Sequence, residues 1–310
     1  MVDWMRRKVS IIGAGKVGST TAHLLVLKGL ADVVLVNRTE GIAQGTALDI
    51  KESLPIEKSE SDIVGTGDYS KIAGSDIVIV TAGAQRKEGM TRDDLLKTNA
   101  QIVSDIAEQI KQHAPNSIVI VVSNPLDAMA YLVKKKTGFG KSRVIGMAGA
   151  LDSARLTAFI AEELKVTPKE VHTMVLGSHG DSMVAILSAT TVNGFPASKL
   201  MAPERLQKIV ERARDGGAEI IKLEGSSAFY APASSAVSIV DSIFNDRKSI
   251  IPCSVYLEGE YGITGTFLGV PVVIGSKGAE KVEIIQLSED EKKALADSSI
   301  KISAQVALLG

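Results

Sequence analysis

Cysteine is nearly absent: Cys253 is the single one in 310 residues. No disulfide can close within the chain, and a reducing compartment fits. A basic excess is also missing, with 35 Lys and Arg against 36 Asp and Glu and a formal net charge of -1. Without surplus cations to neutralise phosphates, a general nucleic-acid partner is not expected. No apolar run approaches the length of a membrane span. Residues 1–8 are charged and lack the apolar region and cleavage site of a secretory signal. A cytoplasmic protein is therefore expected. Histidines number only four, and none stands with cysteine at zinc spacing, so no catalytic metal is implied. Internal repeats and low-complexity linkers are also lacking. What remains is ordinary globular composition, 45% apolar and 23% charged, in a chain long enough for two domains.

The first half alternates short apolar runs with helical segments, which predicts an open parallel sheet covered by helices on both faces, a Rossmann-type α/β domain over 1–149. Residues 9–12 form a strand that ends in Gly13-Ala14-Gly15-Lys16-Val17-Gly18, and a helix follows over 19–28. Strand, Gly-x-Gly-x-x-Gly, helix is the context of a dinucleotide site. Gly13 permits the tight turn, Gly15 the approach of a pyrophosphate, and Gly18 the packing of helix on strand. The helix N-terminus offers free N–H groups to the phosphates. A second strand, 32–36, leads to Asn37-Arg38. An acid usually stands near this point to bond the adenine ribose. An amide does not repel a 2′-phosphate and Arg38 can pair with one, so NADP is expected to be accepted beside NAD.

A third strand over 75–81 runs into Ala82-Gly83-Ala84, where Gly83 lets the backbone pass close to a cofactor. The polar stretch 85–92, with Arg86, Lys87 and Arg92, precedes a helix over 93–113 and reads as a lid over an anion. A fourth strand, 116–122, ends in Ser123-Asn124-Pro125, because proline biases Asn124 away from helix. Residues 141–147 supply the last strand. From residue 150 the pattern becomes α+β and predicts a substrate or catalytic domain over 150–310. Its helices are expected at 152–165, 203–223, 232–244 and from 288, with Gly216-Gly217 bending or interrupting the second. Strands are expected at 171–176, 184–192, 250–257, 270–274 and 281–286, with a turn at Asn193-Gly194. Asp152 and Arg155 lie three apart, hence on one side of a helix. His179 follows between Ser178 and Gly180. An Asp that orients a His, beside an Arg that grips a carboxylate, makes a proton-transfer site for an anionic substrate.

The glycine motif, Arg86…Gly89-Met90-Thr91-Arg92, Ser123-Asn124-Pro125, Leu151-Asp152-Ser153-Ala154-Arg155 and Ser178-His179-Gly180-Asp181-Ser182 agree in order and spacing with one family. Over nearly its whole length the chain resembles the lactate/malate dehydrogenases, most of all the malate dehydrogenases that are like lactate dehydrogenases. That resemblance implies malate dehydrogenase activity in the tricarboxylic acid cycle, with malate and oxaloacetate as the small dicarboxylate pair and a homodimer or homotetramer as the assembly. It implies that His179 donates and accepts the proton, held by Asp152, and that Arg155 grips the C1 carboxylate. Arg92 closes over the site and polarises the carbonyl, while Asn124 bonds near substrate and nicotinamide. Val122, Ser123 and Asn99 are implied to contact the cofactor. Asn37 departs from the family's usual acid and puts cofactor preference, not fold, in question.

The resemblance also places at Arg86 the residue that separates the two activities: neutral in lactate enzymes, Arg in malate enzymes. With a second substrate carboxylate Arg86 has a partner. With pyruvate it is shut in unpaired, at a cost on the order of 3 kcal/mol, or about a hundredfold in preference. The alternatives are a lactate or other 2-hydroxy-acid dehydrogenase and a non-catalytic dinucleotide-binding sensor. An NAD-using glycosidase of related fold would need a metal site that the sequence does not show.

Overall fold

A computed structural model describes residues 6–84 and 91–309. β1 (Lys8–Ile12), α1 (Lys16–Leu27), β2 (Asp32–Val36), α2 (Glu40–Glu57), β3 (Ile63–Thr66) and β4 (Ile77–Val80) open the chain. α3 (Arg92–His113), β5 (Ile118–Val121), α4 (Leu126–Thr137), β6 (Val144–Gly146) and α5 (Gly149–Leu164) follow. The strands order as β3-β2-β1-β4-β5-β6, all parallel. This is the doubly wound arrangement, whose order reverses at β1 and leaves a crevice at the strands' carboxyl ends. β4 and β5 are Ile-Val-Ile-Val with every residue buried, as strands covered on both faces must be.

The second half holds β7 (Val171–His172), β8 (Val175–Gly177), β9 (Met183–Ala185), β10 (Thr191–Val192), β11 (Phe195–Pro196) and α6 (Ala197–Leu200). α7 (Pro203–Glu224), α8 (Tyr230–Phe244), β12 (Ser249–Glu258), β13 (Thr264–Gly275), β14 (Gly278–Val282) and α9 (Glu289–Ala307) complete it. Of its strands, β7, β10 and β11 form a separate three-stranded antiparallel sheet, while the others join the first half's sheet. β12 pairs with β6 through Ser254 and Gly146, and the eleven-stranded sheet runs on through β13, β8 and β9.

Several elements differ from expectation. α2, β3 and α4 were not foreseen. α2 carries Gly41, Gly45 and Pro55, poor helix formers, and it holds because Ala43, Ala47, Ile50 and Leu54 bury one stripe. The strand expected over 184–192 divides into β9, a 3₁₀ turn at Leu187–Ala189 and β10. That over 171–176 divides into β7 and β8, which pair in different sheets. Residues 141–143 form a 3₁₀ turn before β6, and β14 ends at Val282. α7 runs unbroken through Gly216-Gly217. The turn at Asn193-Gly194 is present, both residues at positive φ (52° and 82°), and it joins β10 to β11.

Candidate functional site

The glycine-rich turn behaves as three separate steric statements. Gly13 has φ +116°, and a Cβ there would lie 2.7 Å from Thr81 Oγ1. A Cβ on Gly18 would stand 1.8 Å from the Gly13 carbonyl oxygen. Around Gly15 there is nothing within 4 Å. The first and third glycines thus serve turn and packing, while the second faces open space at the start of α1. Gly15 caps α1 without a side-chain hydrogen bond, and no acid occupies the first turn. That helix end suits a pyrophosphate. Between Ala14 and Val17 the turn also carries Lys16, whose Nζ leans towards the start of α8, bonding Ser226 Oγ at 2.9 Å and lying 5.1 Å above the Phe229 ring.

Asn37 follows β2 beside this turn. Its Oδ1 accepts from the Ala14 N–H at 3.4 Å and its Nδ2 donates to the Thr39 carbonyl at 3.1 Å. Arg38 is exposed. At the ends of β4 and β5, Ser123 Oγ donates to the Ala82 carbonyl at 2.5 Å, and Val122 is buried. Asn99, 1% exposed on α3, accepts from the Ala84 N–H at 2.7 Å and donates to the carbonyls of Ala84 and Asn124, at 3.2 and 2.7 Å. Gly83 backs onto the same amide, which a Cβ would meet at 3.3 Å. Asn99 therefore ties the Gly83 segment to the Asn124 turn, with both of its N–H donors spent on backbone. Arg86 and the Arg92 side chain lie outside the described residues.

The described catalytic candidates converge from α5 and the β8–β9 loop. α5 starts at an awkward corner, where Ala148 takes φ 31° and ψ -110° and a Cβ on Gly149 would strike the Val175 carbonyl at 2.4 Å. That close packing against β8 brings the first turns of α5 under the β8–β9 loop. Asp152, 2% exposed, accepts from His179 Nδ1 at 2.9 Å through Oδ2, and its Oδ1 lies 3.6 Å from Arg155 Nη1. One carboxylate thus orients both partners and leaves His179 Nε2 to face outward chemistry. The loop itself is held by Ser298 of α9, whose Oγ accepts from the Ser178 N–H at 2.8 Å. Gly180 takes φ +116° and lets the loop turn back.

Sequence reasoning missed two participants. Asp127, in the first turn of α4, accepts from the His179 backbone N–H at 3.1 Å and from Ser254 Oγ at 2.6 Å. Gly216 and Gly217 of α7 lie against Arg155, where a Cβ would meet Cδ at 3.4 Å and Nη2 at 3.6 Å respectively. A Gly pair in mid-helix was a usable signal, but of close approach instead of a bend.

Electrostatics follow from this packing. Burial alone would push the His179 imidazole down. The charge and hydrogen bond of Asp152, with the charge of Asp127, outweigh burial and the opposing Arg155, and hold it above its ordinary value. Burial draws the Arg155 guanidinium down against the pull of Asp152, yet an arginine remains charged. The arrangement can hold a proton on an imidazole next to a cation that binds a carboxylate. Among the described residues no group of three His, Cys, Asp or Glu could hold a metal ion, and no helix is long and apolar enough to cross a membrane.

A nucleotide-type crevice with a His–Asp–Arg cluster at its far wall defines a two-part dehydrogenase site. Residues 7–146 match the lactate/malate dehydrogenase NAD binding domain, and residues 149–307 match the alpha/beta C-terminal domain of the same group. The chain belongs to the lactate/malate dehydrogenase family. It is 49% identical to malate dehydrogenase 1 of Anaeromyxobacter dehalogenans, covering 97% of this chain and 98% of that one. The malate dehydrogenase of Cryptosporidium parvum superposes with a TM-score of 0.96 at 43% identity, over 98% of this chain and 99% of the other. The lactate dehydrogenase of the same organism, solved with lactic acid and nicotinamide adenine dinucleotide, gives 0.95 at 38% identity, over 100% and 99%. Backbone shape therefore does not separate the two activities, and side chains must.

Proposed function

We propose that the protein is a malate dehydrogenase, interconverting (S)-malate and oxaloacetate with a nicotinamide dinucleotide. The observation that carries this reading is Asp152 placed between His179 and Arg155, at 2.9 and 3.6 Å. The malate dehydrogenase of A. dehalogenans, at 49% identity, and Arg86 in the sequence support malate over lactate. In this reading residues 1–149 hold the dinucleotide and residues 150–310 supply the catalytic wall.

The bound cofactor supplies or takes the hydride at C2. Arg155 grips the C1 carboxylate in a two-pronged contact and fixes the substrate's orientation. His179 gives its Nε2 proton to the carbonyl oxygen during reduction and removes it during oxidation, while Asp152 keeps Nδ1 protonated. Arg92 stabilises charge on that oxygen in a site closed to water. Arg86 binds the second carboxylate. Asn124 bonds near substrate and nicotinamide, and Gly13, Gly15 and Gly18, with Ala14, Lys16 and Val17, form the pyrophosphate turn. Val122 and Ser123 line the crevice. Asn37, held beside that turn, and exposed Arg38 accept a 2′-phosphate, so NADP serves as well as NAD. The protein works in the cytoplasm as a homodimer or homotetramer.

The test is oxidation of NADH and NADPH by purified protein, each with oxaloacetate and with pyruvate. The expected pattern is a strong preference for oxaloacetate with both cofactors. Activity with NADH alone would remove the roles given to Asn37 and Arg38. Preference for pyruvate would overturn Arg86, and silence in all four assays would favour a dinucleotide sensor. Arg86→Gln should move preference towards pyruvate, on the order of a hundredfold in the ratio of kcat/KM.

A further inference from the structure

Asp127 is an acid with 3% exposure, a costly placement unless its charge is used. Its hydrogen bonds have it as acceptor: the His179 N–H to Oδ2 at 3.1 Å and Ser254 Oγ to Oδ1 at 2.6 Å, with the Ser178 side chain also bonding it. It stands in the first turn of α4, where the helix end favours an anion. Its partners come from the β8–β9 loop and from β12, 52 and 127 residues further along the chain. It is thus the point where the cofactor half grips the histidine loop.

We propose that Asp127 is a positioning residue for His179, a second carboxylate that anchors the loop backbone and presents negative charge to the imidazole in addition to that of Asp152. Among the described residues, the other charges acting on the imidazole are Asp152 and Arg155 on α5, and Asp181 lies two residues along the same loop. Asp152 raises the imidazole more than Arg155 lowers it, and the two form an ion pair at 3.6 Å. Asp127 has no cation of its own among its resolved contacts and adds a charge that favours imidazolium. Burial holds the Asp127 carboxyl above its ordinary value, and the hydrogen bonds from Ser254 and the His179 N–H, with the charge of His179, offset that burial only in part. The consequence is a proton held on His179 before transfer to substrate.

The variant is Asp127→Asn, which keeps the shape and the hydrogen bonds to the His179 N–H and to Ser254, since Ser254 can accept from the new amide. Histidine NMR titration of the cofactor-free protein, with His179→Gln to assign the signal, is expected to show His179 titrating at lower pH in D127N. In steady-state assays reduction of oxaloacetate should lose several-fold on the alkaline side, while oxidation of malate is spared or improved on the acid side. A purely structural role would depress both directions at every pH and leave the titration in place; that result overturns the proposal. Should D127N not fold, carboxyl ¹³C NMR of Asp127 in the unaltered protein decides: an inflection where His179 loses its proton is expected, and a flat trace there refutes the coupling. The proposal rests on His179 as the proton donor, but the titrations need no turnover. An inactive protein with an intact coupling would therefore fail the functional reading and leave this one standing.

Discussion

At the scale of the residue, the site is a competition among charges for one proton. His179→Gln keeps the volume near that of imidazole and removes the proton carrier. Turnover should fall about 10²–10⁴-fold while the KM for cofactor stays near its original value, as initial rates would show. The pH dependence has a definite sign. His179 is raised above its ordinary 6.5, so reduction, which needs imidazolium, persists to higher pH than a free histidine would allow. The same shift bears on stability. A histidine whose folded value is raised contributes stability that is fully present below 6.5 and is lost as pH rises through the folded value. The unfolding temperature should decline over that window, and H179Q should flatten the decline. An unchanged slope in H179Q would show that other groups carry it.

Residue-scale chemistry was the most legible in the sequence where partners are close along the chain. Asp152 and Arg155, three apart on one helix, were readable from spacing, and His179 from its motif. Asp127 was not. Its value depends on a loop and a strand that only the closed fold brings to it. Asn99 was expected at the cofactor, and its contacts show an amide occupied with two backbone turns, a role that spacing cannot reveal.

At the scale of the element, the three glycines of one turn give opposed expectations. Gly18→Ala places a methyl 1.8 Å from the Gly13 carbonyl oxygen. Backbone cannot swing aside as a side-chain tip can, so about 1–3 kcal/mol of stability or more should be lost, measurable by chemical denaturation. Gly15→Ala meets nothing within 4 Å and should leave stability unchanged while raising the KM for dinucleotide. If both variants lost stability alike, Gly15 would be structural and the open face beside it would not be the cofactor's. The elements foreseen least well were those whose local signal opposes their fate. α2 is helical in spite of its glycines and proline, because a buried stripe outweighs a propensity cost of about 1 kcal/mol for each glycine. Gly216-Gly217 does not break α7, since the pair gives space to Arg155.

At the scale of the whole molecule, the proposed functional division at residue 149 does not coincide with a division of the core. One apolar cluster includes Val9 and Ile11 of β1, Val237 and Val240 of α8, Val270 and Val272 of β13, and Ile302 of α9. The sheet crosses the same boundary at Gly146 and Ser254. Sequence reading supplied the parallel half and the α+β half, but not their junction, because a single strand pair leaves no periodic trace. Gly146 is the narrow point: a Cβ there would lie 2.5 Å from Leu126 Cδ2 and 2.8 Å from Ser254 Cβ. Leu126 adjoins Asp127, so crowding at Gly146 presses on the carboxylate that holds His179. The halves should therefore unfold together, with hydrogen exchange in β1 and in β13 reporting the same opening free energy. Gly146→Val should lower both by the same amount, of about 1–3 kcal/mol, and should cost activity beyond what lost stability explains. If β1 kept its protection while β13 lost it, the junction would be a hinge between independent domains, and the route from the sheet to the histidine would have to be sought elsewhere.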